Sequence, residues 1–101
     1  MESNAIIQAH LFGRSQTTTS VGFSDASVSL LSANVTRKEA IIKNTSSKIL
    51  YLCFFTPATS TTPIAIDPGD CWVEDRWLGL MYGIWEAGVS DGAAIITEVY
   101  E

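Results

Sequence analysis

The strongest hydrophobic pattern runs from Glu39 to Phe55, EAIIKNTSSKILYLCFF, where two apolar runs flank the polar group Asn44-Thr45-Ser46-Ser47-Lys48. Apolar and aromatic runs separated by a short polar turn predict a β-hairpin with a loop longer than two residues. In the second arm successive side chains alternate faces. Ile49, Tyr51, Cys53 and Phe55 therefore point one way, and Leu50, Leu52 and Phe54 the other. Both faces are apolar, whereas a strand with one wet face carries polar residues at every second position. The expectation is the domain core on one side. On the other it is the chain's own N-terminal arm, a neighbouring subunit, or an outer sheet face that is simply apolar.

The remaining chain repeats the strand pattern in shorter pieces. Ala26 to Leu31 alternates Val28 and Leu30 with Ser27 and Ser29, a half-buried strand. The stretch TPATSTTP after Phe55 holds two prolines and no large apolar residue and predicts a surface loop. Ile64 to Ile66 is a short strand stopped by Asp67-Pro68-Gly69-Asp70, in which Pro presets the backbone of a turn and Gly supplies its positive angle. Cys71 to Glu74, Leu80 to Glu86 and Ala93 to Tyr100 complete the set, with the Gly-bracketed turn 87–92 before the last strand. No segment has a helical period. About seven strands at short spacing predict an all-β antiparallel sandwich or small barrel. It forms one domain over residues 25–101, preceded by an extended N-terminal arm, residues 1–24, whose Thr-rich part GRSQTTTSVG has no period.

Charge changes the picture through its distribution. The net charge is −5, which argues against nucleic acid or an anionic membrane as partner. From Asp67 onward eight acids face the single base Arg76, a net of −7, while residues 1–66 carry five bases and three acids, a net of +2. Four of those bases, Arg37, Lys38, Lys43 and Lys48, lie in or beside the central pattern, an asymmetry suited to association between copies. Glu2 stands where a signal peptide carries basic residues, so the expectation is folding in a cytoplasm. No apolar run is long enough to span a bilayer. Cys53 and Cys71 each sit in a strand, where free cysteine packs as a small hydrophobe; a disulfide requires those strands to be neighbours.

Candidate chemistry is sparse. A Ser-His-Asp or Cys-His arrangement needs a histidine, and the only one, His10, lies in the arm. His10, Cys53 and Cys71 lack the close pairs that preassemble a metal site, and Asp67 and Asp70 are explained by turn chemistry. No Gly-rich phosphate loop is present, and Gly83 within a strand marks a bulge or a close approach. The expectation is no catalytic residue, no cofactor and no metal. Trp72, Trp77, Trp85 and Tyr82 crowd the C-terminal third, where they serve as core or interface residues or, if Trp72 and Trp77 are exposed together, as a sugar-stacking platform.

The succession ASVSLL, ANVTRK, IIKNTSS, a Thr/Ser/Pro loop, IAIDPGD, and the ending YGIWEAGVSDGAA with TEVYE resembles small all-β virion proteins of tailed bacteriophages over Ala26 to Glu101. Proteins of this look serve as capsid decoration (cement) proteins, head-fibre bases and related virion parts; the resemblance implies foremost a decoration protein, made in the host cytoplasm and carried on the capsid surface of the virion. Its partner would be the major capsid protein, and it would act as a homo-oligomer, a trimer, without nucleic acid or membrane. The contact residues expected on this reading are Ile6, Ile7, Leu11 and Phe12 of the arm, with Tyr51 and Trp77. A head-tail or tail adaptor, or a carbohydrate-binding module of a virion fibre, are the alternatives.

Overall fold

The computed structural model describes residues 15–62 and 64–100. Eight strands follow in chain order: β1 (Ser15–Gly22), β2 (Val28–Leu31), β3 (Arg37–Asn44), β4 (Leu50–Cys53), β5 (Ala65–Ile66), β6 (Cys71–Glu74), β7 (Met81–Trp85) and β8 (Ala93–Tyr100). They form two antiparallel four-stranded sheets, one in the order β1-β8-β3-β6 and the other β2-β7-β4-β5. The chain changes sheet at every connection except β4 to β5. Two sheets interleaved in this order make the jelly-roll form of the β-sandwich, in agreement with the all-β expectation.

The central pattern is a correction. β3 and β4 do not pair with each other; they belong to different sheets, and Thr45 to Ile49 arches across the gap between them. A hairpin loop and a sheet-crossing arch both need a polar turn between apolar runs, so local spacing does not separate them. The eighth strand is the second difference. Ser15–Gly22, read from the sequence as part of the arm, pairs with β8 along its whole length. No apolar alternation announces it, because seven of its eight side chains are exposed and its place is held by backbone hydrogen bonds.

The core lies between the sheets. Ala40, Ile42, Ala94 and Ile96 face Leu30, Leu50, Leu52, Ile66, Met81 and Trp85, all buried. Gly83 sits opposite Leu52 and Val28, and a Cβ there would lie 2.8 Å from Leu30 Cδ1 and 3.0 Å from Leu50 Cδ1. The glycine thus marks a close approach of side chains, while the bulge falls in β2, between Ser29 and Leu31. The two cysteines lie in opposite sheets, Cys53 buried and Cys71 exposed, and both are free thiols.

Each end of β3 is a buried polar anchor. At one end Arg37 donates from Nε to Glu98 (2.7 Å), from Nη1 to the carbonyls of Trp77 and Gly79 (3.1 Å each), and from Nη2 to that of Ser32 (2.6 Å). At the other, Asn44 donates to the carbonyls of Lys48 (2.7 Å) and Ile66 (2.8 Å). Its Oδ1 accepts from Ser46 N (3.0 Å), Ser46 Oγ (2.8 Å) and Trp85 Nε1 (3.3 Å). Both residues sit where connections cross between the sheets and strip carbonyls from their ladders, and each supplies those carbonyls with donors.

Candidate functional site

The surfaces left for function are the sheet edges and outer faces. Three of the four edges are short or broken: β5 has two residues, β6 four, and β2 four with a bulge. β1 differs. It has eight residues in unbroken register with β8 from Ser15 opposite Tyr100 to Gly22 opposite Ala93. Among the described residues no strand pairs with its other edge. Natural edges are blunted by Lys, Pro, bulges or shortness, and SQTTTSVG has none of these.

The outer face of the same sheet adjoins this edge. Cross-strand rows run Val73, Ile41, Thr97, Thr18 and Cys71, Lys43, Ile95, Ser20, with Glu39, Val99 and Gln16 below. Val73 is 54% exposed, and Ile41, Ile95 and Val99 are half-buried. This apolar band with a Thr margin carries few charges, since Arg37, one of the four clustered bases, points inward and is consumed by Glu98. The side chains of Lys43 and Glu39 are the charged members of these rows.

Part of the outer face of the other sheet is covered by the chain itself. The β4–β5 connection turns back as a strap across it. Ala58 N donates to Ser27 Oγ (2.7 Å), Cys53 Sγ to Thr59 O (3.7 Å) and Thr62 Oγ1 to Leu52 O (2.9 Å). Cys53 is buried beneath it and the strap's own Ala58 is buried too, so the Thr/Pro stretch that reads as a surface loop supplies cover for this strand. Beside the strap the sheet stays open in a groove of about 320 Å³ lined by Asp25, Tyr51, Ser60, Ile84, Trp85, Glu86 and Ala87.

The expected contact residues are scattered. Tyr51 lies in the groove, paired across strands with Ile84. Trp77 lies at the Arg37 end, 38% exposed, stacked on Phe54 with centroids 5.2 Å apart and bonded from Nε1 to Leu80 O (2.8 Å). One face of its ring lies against Phe54, while the residue stays partly exposed. Trp85 is core and Trp72 packs against it from the edge strand, so no exposed tryptophan pair forms a platform. Ile6, Ile7, His10, Leu11 and Phe12 lie outside the described residues. Among the described residues no three His, Cys, Asp or Glu side chains converge to hold a metal ion. Sequence reasoning missed β1 as a surface and the groove's acids Asp25 and Glu86. The lack of charge and proline over Ser15–Gly22 is visible in the sequence, but its place as an edge strand, like the groove, is made only by tertiary contact.

Family models and curated proteins give no match to this chain. Among solved structures the chain is similar to a protein of Bacillus endospore appendages, described as forming a novel family of disulfide-linked pili. The identity is 10%, the TM-score 0.52, and the match covers 86% of this chain and 85% of that one. At that identity the likeness extends to the fold.

Proposed function

We propose that this protein is a structural subunit of a virion, a capsid decoration protein that acts by burying the β1-β8-β3-β6 sheet against other subunits. The observation that carries the reading is the β1 edge. An eight-residue strand without charge, proline or bulge is a ready template for another chain, and it adjoins an apolar outer face. An assembling protein has a use for such an edge, whereas a monomer is exposed by it to aggregation. The phage-like order of turns and strand ends supplies the virion setting. Many copies joined in this way bridge neighbouring shell subunits, and multivalency turns weak single contacts into durable reinforcement.

Contacts between unlike patches close into a ring where the rotation allows and otherwise extend as a filament. The expected assembly is a closed trimer. Light scattering of the purified chain over a dilution series tests this, alongside counting of copies per particle in virions made with the gene intact and deleted. Decoration requires a species of about three chains, many copies per particle, and earlier shell rupture on heating when the gene is absent. A small fixed ring at one vertex would replace decoration with the head-tail adaptor reading. Absence of the chain from particles would overturn both.

A further inference from the structure

The groove beside the strap lies in the sheet opposite the proposed assembly surface, and its chemistry is different. Its floor is the facing pair Tyr51 and Ile84. Its lining includes the acids Asp25 and Glu86 and the hydroxyl-bearing Ser60, with no basic residue among them. The Glu86 carboxylate is oriented by the Ile49 backbone N–H (3.4 Å), and its own N–H is held by the Ile49 carbonyl (2.8 Å). The strap that forms one wall is anchored at Ser27 and Cys53, so the groove is preformed.

Each property narrows the occupant. Two carboxylates repel anions, which removes phosphates, nucleotides and acidic sugars. Carboxylates are acceptors only, so the ligand must bring several donors. A floor of one phenol ring and one aliphatic side chain favours a ligand with a flat C–H face over a fully polar ion. The volume of about 320 Å³ suits one or two small rings rather than a long chain. A neutral pyranose has all of these features: a rim of hydroxyl donors, an apolar C–H face and no charge. We infer that this groove binds an uncharged pyranose sugar, with Tyr51 and Ile84 under the ring and Asp25, Glu86 and Ser60 accepting from its hydroxyls.

The test is saturation-transfer NMR on the full chain with the methyl glycosides of glucose, galactose, mannose and N-acetylglucosamine at millimolar concentration, and N-acetylarginine amide as the cationic probe. At least one glycoside is expected to receive saturation, with an affinity unchanged by added salt. Glu86→Gln exchanges charge-assisted hydrogen bonds for neutral ones and should weaken that affinity about tenfold. Tyr51→Ala should abolish the signal. Tyr51 is half-buried and faces outward, so the fold should persist, and Tyr51→Phe, which keeps the ring, should retain most of the binding. Silence from all four glycosides overturns the inference. So does salt-sensitive binding of the arginine probe alone, which would give the groove to a basic peptide. Neither result touches the proposal for the opposite sheet, whose readout is assembly.

Discussion

The two ends of β3 solve one problem with different chemistry. Arg37 and Asn44 are both almost fully buried, and each gathers segments that cross between the sheets. Asn44 is neutral, and half of its work is local, since Ser46 and Lys48 belong to the arch that follows it. Only Ile66 and Trp85 come from afar. Arg37 carries a full charge, and its partners at Trp77, Gly79 and Glu98 lie about half a chain away in sequence. A neutral amide matches a mixed set of donors and acceptors without a counter-charge. A guanidinium serves several carbonyls at once but requires a carboxylate nearby, which Glu98 supplies from β8. The local anchor shapes a turn, while the distant one ties together segments that would otherwise have no reason to meet.

Removing the charge should separate the two ends most sharply. Arg37→Ala leaves the Glu98 carboxylate, 17% exposed, beside orphaned carbonyls, and should cost about 3–5 kcal/mol in urea unfolding. Arg37→Met combined with Glu98→Leu removes both charges and should recover about 1–2 kcal/mol of that loss. If the double variant is no better than the single one, the carbonyls rather than the ion pair set the cost. At the other end Asn44→Ala should destabilise by about 2–3 kcal/mol by the same measurement, since the Trp85 indole N–H and the Ile66 carbonyl lose their partner without any charge being stranded.

Gly92→Ala probes the Asn44 end from its far side. The glycine has φ of +82°, and a Cβ there would overlap the Ser46 backbone at Cα and stand 2.6 Å from its N, so a loss of at least about 2 kcal/mol is expected in thermal unfolding. The smallest effect on stability should come from Thr18→Lys on the open edge, within about 0.5 kcal/mol. That variant should nonetheless shift the light-scattering mass toward the monomer, because a lysine guards an edge without altering the fold. An unchanged mass would remove β1 as the contact, since Thr18 lies both on the edge strand and at the margin of the outer face.

Legibility in the sequence followed the same division between local and distant. Cys71–Glu74 and Ala93–Tyr100 were readable to the residue, because alternation and flanking turns mark a strand from within. The Asp67–Asp70 turn was also readable, and it closes with Asp70 N to Asp67 O (3.0 Å) and Gly69 at φ of +84°. Asn44 looked like a turn residue, which is half of its role. Arg37 looked like one base in a cluster, since nothing near it names Glu98. Tyr51 was singled out for lying on a doubly apolar strand, but its groove needs Asp25, Ser60 and Glu86 from three other segments.

By itself the sequence determined seven of the eight strands, their two faces and the tight turns, because side-chain alternation and the backbone preferences of Gly, Pro and Asn act over a few residues. Tertiary structure alone decided that Glu39 to Phe55 is an arch between sheets, that Ser15–Gly22 joins the fold through β8, and that a Thr/Pro strap covers β4. Those outcomes depend on which distant backbone groups and side chains satisfy one another, and a short polar linker is compatible with more than one such pairing.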